Sequence, residues 1–267
     1  MMNKILLCLF GSATLTSLLF AQPSPSADKT QFPPQFTAVD GVLVPVPREI
    51  FNTLDKFRHS NWRAVQRPEL AGWKPPGNQA ENALLLGAVI AEGFIAVEAE
   101  DAAEAKNLGR AVLKLARGLG VEKAALRRSR SIVEHAERGD WPAVRKEWDG
   151  VLPDVQQGMK QLKSEQLAQL VSLGGWLRGS AALTVLVLQN YSRQDAELLR
   201  QTALIDHFAK QLADLSGDVA TDPVVVQMGA GLRKVRQVLA AGDAQISPDK
   251  VKEISGLSTG LLNNLNR

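Results

Sequence analysis

Arg178 is a cation at an apolar address. On a helical projection it falls beside Leu167, Val171, Gly174 and Val185, on the side of its helix that should face the interior. A lone charge there is costly, so it needs a carboxylate partner or a water-lined cleft. Glu92 is the natural carboxylate: it interrupts an almost wholly apolar helix and projects with Leu85, Ala88, Ala96 and Ala99. The expectation is that Glu92 and Arg178 meet inside the protein; the bland alternative is that each runs along an Ala-rich strip to solvent. Carboxylates and Arg178 in an open interior cleft would suit an enzyme, a hydrolase or lyase acting on an envelope polymer.

Two further groups carry chemistry. On the helix of Arg178, Ser172, Gly175 and Gly179 form a strip of small residues. Such a strip admits either a ligand, with Trp176 as stacking platform, or the close approach of another helix; packing is the favoured reading. Lys106, Arg110, Lys114 and Arg117 are spaced by four, four and three, so one helix face carries all of them, and Arg127, Arg128 and Arg130 follow on the next helix. If those helices pair, the cations make a patch for an anionic glycan, a lipid surface or an acidic protein; a merely solvated face is the alternative.

Other chemistries find no support. His59, His135 and His207 fall on separate expected helices, without the Glu-x-x-His or His-x-x-x-His spacing of metal sites. There is no Gly-x-Ser-x-Gly elbow or phosphate-cradling glycine loop, so neither metal nor cofactor is expected. Glu98, Glu100, Asp101 and Glu104 read as an acidic helix start rather than a cation site. Arg138-Gly139-Asp140 spells an adhesion tripeptide, but its glycine and aspartate already serve as helix stop and helix start.

The elements that would position these residues are helices. Aromatic residues make up only 5% of the 267-residue chain, an economy that helix packing tolerates better than sheets do. The formal charge of +3 gives no global reason to expect nucleic acid. Lys4, the apolar run Ile5 to Phe20 and Ala21 resemble a secretory signal over residues 1–21, which implies an exported protein, periplasmic or secreted. Cys8, the only cysteine, lies inside that segment. The mature chain would then have no disulfide, and packing alone must hold it.

Pro23, Pro25, Pro33, Pro34, Pro45 and Pro47 mark residues 22–46 as an extended or disordered tether. Its end, from Val39 to Val46, is expected against the body, and Pro47 should open a helix reaching about Ser60. Residues 47–267 are expected to form one all-α domain, a bundle of antiparallel hairpins with about eight or nine helices and no substantial sheet. The pattern predicts helices over 79–99, 101–119, 121–138, 141–163 (kinked or divided at Pro153), 164–189, 192–215, 223–241 and 248–265, with the first and fifth at the centre. Ser164 is expected to cap the fifth. The pairs Gly139-Asp140, Gly217-Asp218 and Gly242-Asp243 should punctuate hairpins. The functional expectation is a non-enzymatic binding or scaffold protein. A third possibility is oligomerisation through the apolar tail Leu261 to Leu265.

Overall fold

A computed structural model describes residues 36–39, 42–45, 55–57, 59–240 and 245–266, all within one compact unit, Pro34–Arg267. The signal and most of the tether expected from the sequence lie outside the described residues. Where the tether was expected to continue as plain extended chain, Phe36–Val39 (β1) and Val42–Pro45 (β2) pair as an antiparallel hairpin, with Val39 opposite Val42. Of the helix expected to follow Pro47, the described part is a single 3₁₀ turn, Asp55–Phe57.

Nine helices of nine residues or more, with short helices and 3₁₀ turns between them, make up the rest of the architecture among the described residues. They are α1 (Gln79–Glu98), α2 (Ala102–Gly118), α3 (Glu122–Glu137), α4 (Trp141–Asp149), α5 (Val151–Gln161), α6 (Glu165–Gln189), α7 (Thr202–Ala213), α8 (Pro223–Ala240) and α9 (Pro248–Asn263). The protein is an all-α multi-helix bundle.

The centre is the crossing of α1 with α6, the most extensive interhelical contact. Both helices are long and apolar enough to cross a membrane, but their apolar windows are 89% and 72% buried within the protein. Glycine brings their backbones together. A Cβ on Gly87 would lie 1.9 Å from the Val171 carbonyl oxygen, and one on Gly174 would lie 1.9 Å from that of Leu84. Each position therefore excludes any side chain. Trp148 uses a third gap: its indole lies over Gly93 and donates to the Ile90 carbonyl at 2.7 Å, so this large, fully buried ring leaves no orphan N–H.

The turns repeat one hydrogen-bond solution. After α1, α2, α3 and α5 the chain closes with a bond from the second residue past the cap to the carbonyl five positions earlier: Asp101 to Ala96, Val121 to Ala116, Asp140 to His135 and Ser164 to Met159. This closure puts one residue in the left-handed region. Gly120 and Gly139 take it as expected, with φ of +75° and +67°, whereas Glu100 and Lys163 adopt it as non-glycine residues, at +48° and +53°. Asn78, Asp101, Asp140 and Ser247 each accept a bond from a backbone amide in the first turn of the helix they precede.

Four expectations need correction. Ser164 does not cap α6; its hydroxyl turns back to the Leu162 carbonyl at 3.4 Å. The segment 192–215 is not one helix. It forms Arg193–Ala196, a 3₁₀ turn Glu197–Leu199 and then α7, because tertiary bonds hold the break open: Arg200 donates to Glu197 and to the Leu239 carbonyl, and Glu197 accepts the Ile246 amide. Gly217 opens the short helix Gly217–Thr221 instead of closing its predecessor; Gly242-Asp243 lies outside the described residues. Finally, the tail expected to be available for oligomerisation is interior, with Leu261 at 9% exposure and Leu262 and Leu265 at 0%. The division expected near Pro153 occurs at Gly150, with Pro153 in the first turn of α5.

Candidate functional site

Arg178 and Glu92 meet at the α1–α6 crossing. The Arg178 Nε donates to Glu92 Oε2 at 2.6 Å, and the side chains are 1% and 0% exposed. Both helices are apolar on nearly every side, so neither charge has a route to water along its own helix. The other half of each group is turned to a strap, residues 61–73, laid across the pair, in which a 3₁₀ turn, Trp62–Ala64, and a one-turn helix, Glu69–Gly72, are joined by irregular chain. Arg178 Nη2 donates to the Val65 carbonyl at 2.6 Å, and Glu92 Oε1 accepts the Arg67 amide at 2.6 Å. Burial pulls Arg178 below its ordinary pKa, while the Glu92 charge opposes it.

The strap has its own anchors. Trp62, Val65 and Leu70 are buried in the core, and the Trp62 indole donates to the Phe57 carbonyl. The Asn61 amide bonds Gln189, and the Arg67 guanidinium bonds Glu69 and Asn263. At the edge of this region stands Glu104, 6% exposed, whose Oε1 has no hydrogen-bond partner among the described residues. Burial raises its pKa, and the charges of Glu92, Asp101 and Glu69 add to the rise, against a bond from Asn107.

Trp176, expected as a stacking platform, is half-buried and already engaged. Its indole donates to Gln201 Oε1 at 2.8 Å, and its ring packs on Phe208 at a centroid distance of 5.6 Å. The small-residue strip is split in use: Ser172 bonds Gln156 and the Ala168 carbonyl, Gly175 faces Gly87, and Gly179 is open. The helix approach that the strip suggested is real, but it runs through Gly174 and Gly87. A crevice too narrow to admit a water molecule lies between α6 and α7, lined by Leu170, Leu173, Phe208 and Leu212 among others; it is not at Arg178. Glu92 and Arg178, expected as ligand contacts, touch no solvent while the strap is in place.

The seven cations expected in the anion patch come together on the α2–α3 hairpin and differ in their engagement. Lys106 pairs with Glu137 at 3.6 Å and Arg117 with Glu122 at 2.6 Å. Arg128 lies over Gly150 and joins the two halves of the divided helix, bonding Glu147 of α4 at 3.0 Å and Asp154 of α5 at 2.8 Å. It is a staple, not a surface cation. Arg127 approaches the same two acids only to 3.9 Å and stays 69% exposed. Arg110 bonds Asn107, and Lys114 is exposed with no acidic partner among the described residues. Lys123 and Arg130 are also exposed and free of acidic partners there. Residues 102–138 hold nine lysines and arginines against four acids, a surplus of five, in a chain whose whole formal charge is +3.

No protein family, curated protein or solved structure matches the chain.

The remaining residues singled out from the sequence are placed as follows. Glu98 pairs with Arg145 and Asp101 caps α2, so those acids are engaged by the protein itself. His59 is exposed, His135 stands 3.3 Å from Asp140, and His207 lies against Phe208 with its pKa lowered by burial and by Lys210. Gly139 and Asp140 of the adhesion tripeptide form the α3–α4 turn. The Val65 and Arg67 backbone groups had no sequence signal: Pro68 beside them stands at the start of the short helix Glu69–Gly72 and says nothing of what the segment covers.

Proposed function

We propose that this chain is an exported, non-enzymatic binding or scaffold protein that engages an anionic partner through the α2–α3 hairpin. One observation carries the reading: residues 102–138 hold a surplus of five cations in a chain whose whole formal charge is +3, and they face solvent through Arg110, Lys114, Lys123, Arg127 and Arg130. A balanced chain with one cationic hairpin attracts anions locally without a general affinity for polyanions. The signal-like residues 1–21 support export. The competing reading, an enzyme acting on an envelope polymer, requires solvent to reach Arg178 and a carboxylate. The 1% and 0% exposure of Arg178 and Glu92 favours a structural role for them instead.

The test is retention on immobilised heparin across a salt gradient. Reversing Arg110, Lys114 and Arg130 to glutamate is expected to abolish retention with an unchanged helical circular dichroism spectrum, because none of the three holds an ion pair among the described residues. Retention equal to the parent protein would refute the reading.

A further inference from the structure

We infer that the end of the bundle where the α2–α3 and α5–α6 turns meet is a peripheral docking tip for an anionic lipid surface, with Leu162 as its apolar contact. The inference rests on the anion-binding reading and names the partner. Leu162 is one of three large hydrophobic residues exposed among the described residues, at 52%. It ends α5, and its Cδ1 lies 3.4 Å from where a Cβ on Gly120 would stand, so the two turns are in contact. Gly158 fits against Ala124 and Val121 just behind them. The packing of α5 on α3 therefore fixes the leucine beside the basic hairpin.

Cations surround that leucine. Lys160 and Lys163 flank it in sequence, and Lys123 and Arg117 flank Gly120 on the other turn; all four are exposed. The acids nearby are Glu122, bonded to Arg117, and Glu165, in the first turn of α6. An exposed leucine ringed by lysines mismatches a soluble polyanion, which offers nothing for the leucine. It matches an anionic bilayer surface, which takes cations at the headgroups and an aliphatic side chain just below them. Charge complementarity and the exposed Leu162 side chain thus point to the same occupant.

The test uses the full chain carrying Cys8→Ser and Leu162→Cys, labelled at position 162 with an environment-sensitive fluorophore. Vesicles are phosphatidylcholine alone or phosphatidylcholine with about 30% phosphatidylglycerol, the range in which surface potential becomes substantial. The expected result is a blue shift on the anionic vesicles only, reversed by salt. Without the label, Lys160→Glu with Lys163→Glu should weaken partitioning into anionic vesicles by at least about 25-fold, taking roughly fivefold for each cation. Leu162→Ser should weaken it about fivefold, for the exposed half of one leucine. The N-terminal segment is common to all these proteins, so the differences report the tip. A silent label on anionic vesicles, or an equal shift on neutral ones, overturns the inference. If heparin retention still depends on the hairpin cations in that case, the anion-binding reading survives and the partner is a soluble polyanion. If neither responds, both fail.

Discussion

Replacing Arg178 with Met removes a guanidinium from a site where Glu92 has no solvent to fall back on. Glu92 Oε2 would lose its 2.6 Å partner at 0% exposure, and breaking a buried pair from one side costs about 3–5 kcal/mol. Glu92→Leu strands Arg178 in the same way and should cost a similar amount. The double variant restores apolar packing at the crossing, but it also takes a donor from the Val65 carbonyl and an acceptor from the Arg67 amide. Those two backbone groups sit at the strap, where a lost bond costs about 1–3 kcal/mol each. The double variant is therefore expected to lie about 2–6 kcal/mol below the parent, against about 6–10 kcal/mol if the two single losses simply added. At mid-range values that leaves a coupling energy of about 4 kcal/mol. Urea unfolding followed by circular dichroism at 222 nm measures all four corners of the cycle. Native-state hydrogen exchange at the Arg67 amide gives a second reading if a single variant is too unstable to titrate, and the amide should exchange faster in every variant. Additive losses, or an Arg67 amide as protected in the double variant as in the parent, would refute the account of pair and strap.

Three further outcomes follow from the same geometry. Gly87→Ala and Gly174→Ala place a methyl group 1.9 Å from a backbone carbonyl and should each destabilise by about 2–4 kcal/mol, whereas Gly179→Ala, with nothing within 4 Å, should stabilise by up to about 1 kcal/mol; thermal unfolding of the three compares them. Glu104 has a folded-state pKa raised above the ordinary value for a glutamate, chiefly by burial. The folded state therefore holds its proton more tightly, and this contribution to stability declines as pH rises from the unfolded value through the folded one. Glu104→Gln should remove that decline and raise stability at pH 7, so an unchanged stability-versus-pH curve would refute it. Lys163→Gly relieves a left-handed lysine at φ +53° and should add about 1 kcal/mol to stability, while weakening adsorption to anionic vesicles.

Much of this arrangement was legible before any coordinates. Glu92 interrupting the apolar run of α1, and Arg178 on the apolar flank of α6, made their meeting an expectation, with an exit to solvent along an Ala-rich strip as the alternative that the sequence left open. Helix ends marked by Gly120, Gly139 and Asp140 were legible for the same reason: few residues satisfy those backbone positions. Lys163 and Glu100 were not, because a side chain that tolerates a strained turn carries no mark of it. The break at Arg200 was also hidden. It depends on bonds to Leu239 and Ile246, tens of residues away, and local pattern has no access to such partners. The basic face was overcounted for a related reason. Spacing put Arg128 beside the other cations, but only the position of Gly150 reveals that its guanidinium fastens two helices.

The strap has a consequence for the order in which the molecule is assembled. Its bonds reach from residues 61–67 to Glu92, Arg178, Gln189 and Asn263, across separations of 25, 113, 128 and 196 positions. A chain emerging from its N-terminus cannot complete these closures until nearly all of it is present. Local hairpins such as α2–α3 are free to form early, but the cover over the central charges is a late event, and until then the guanidinium and carboxylate remain wet.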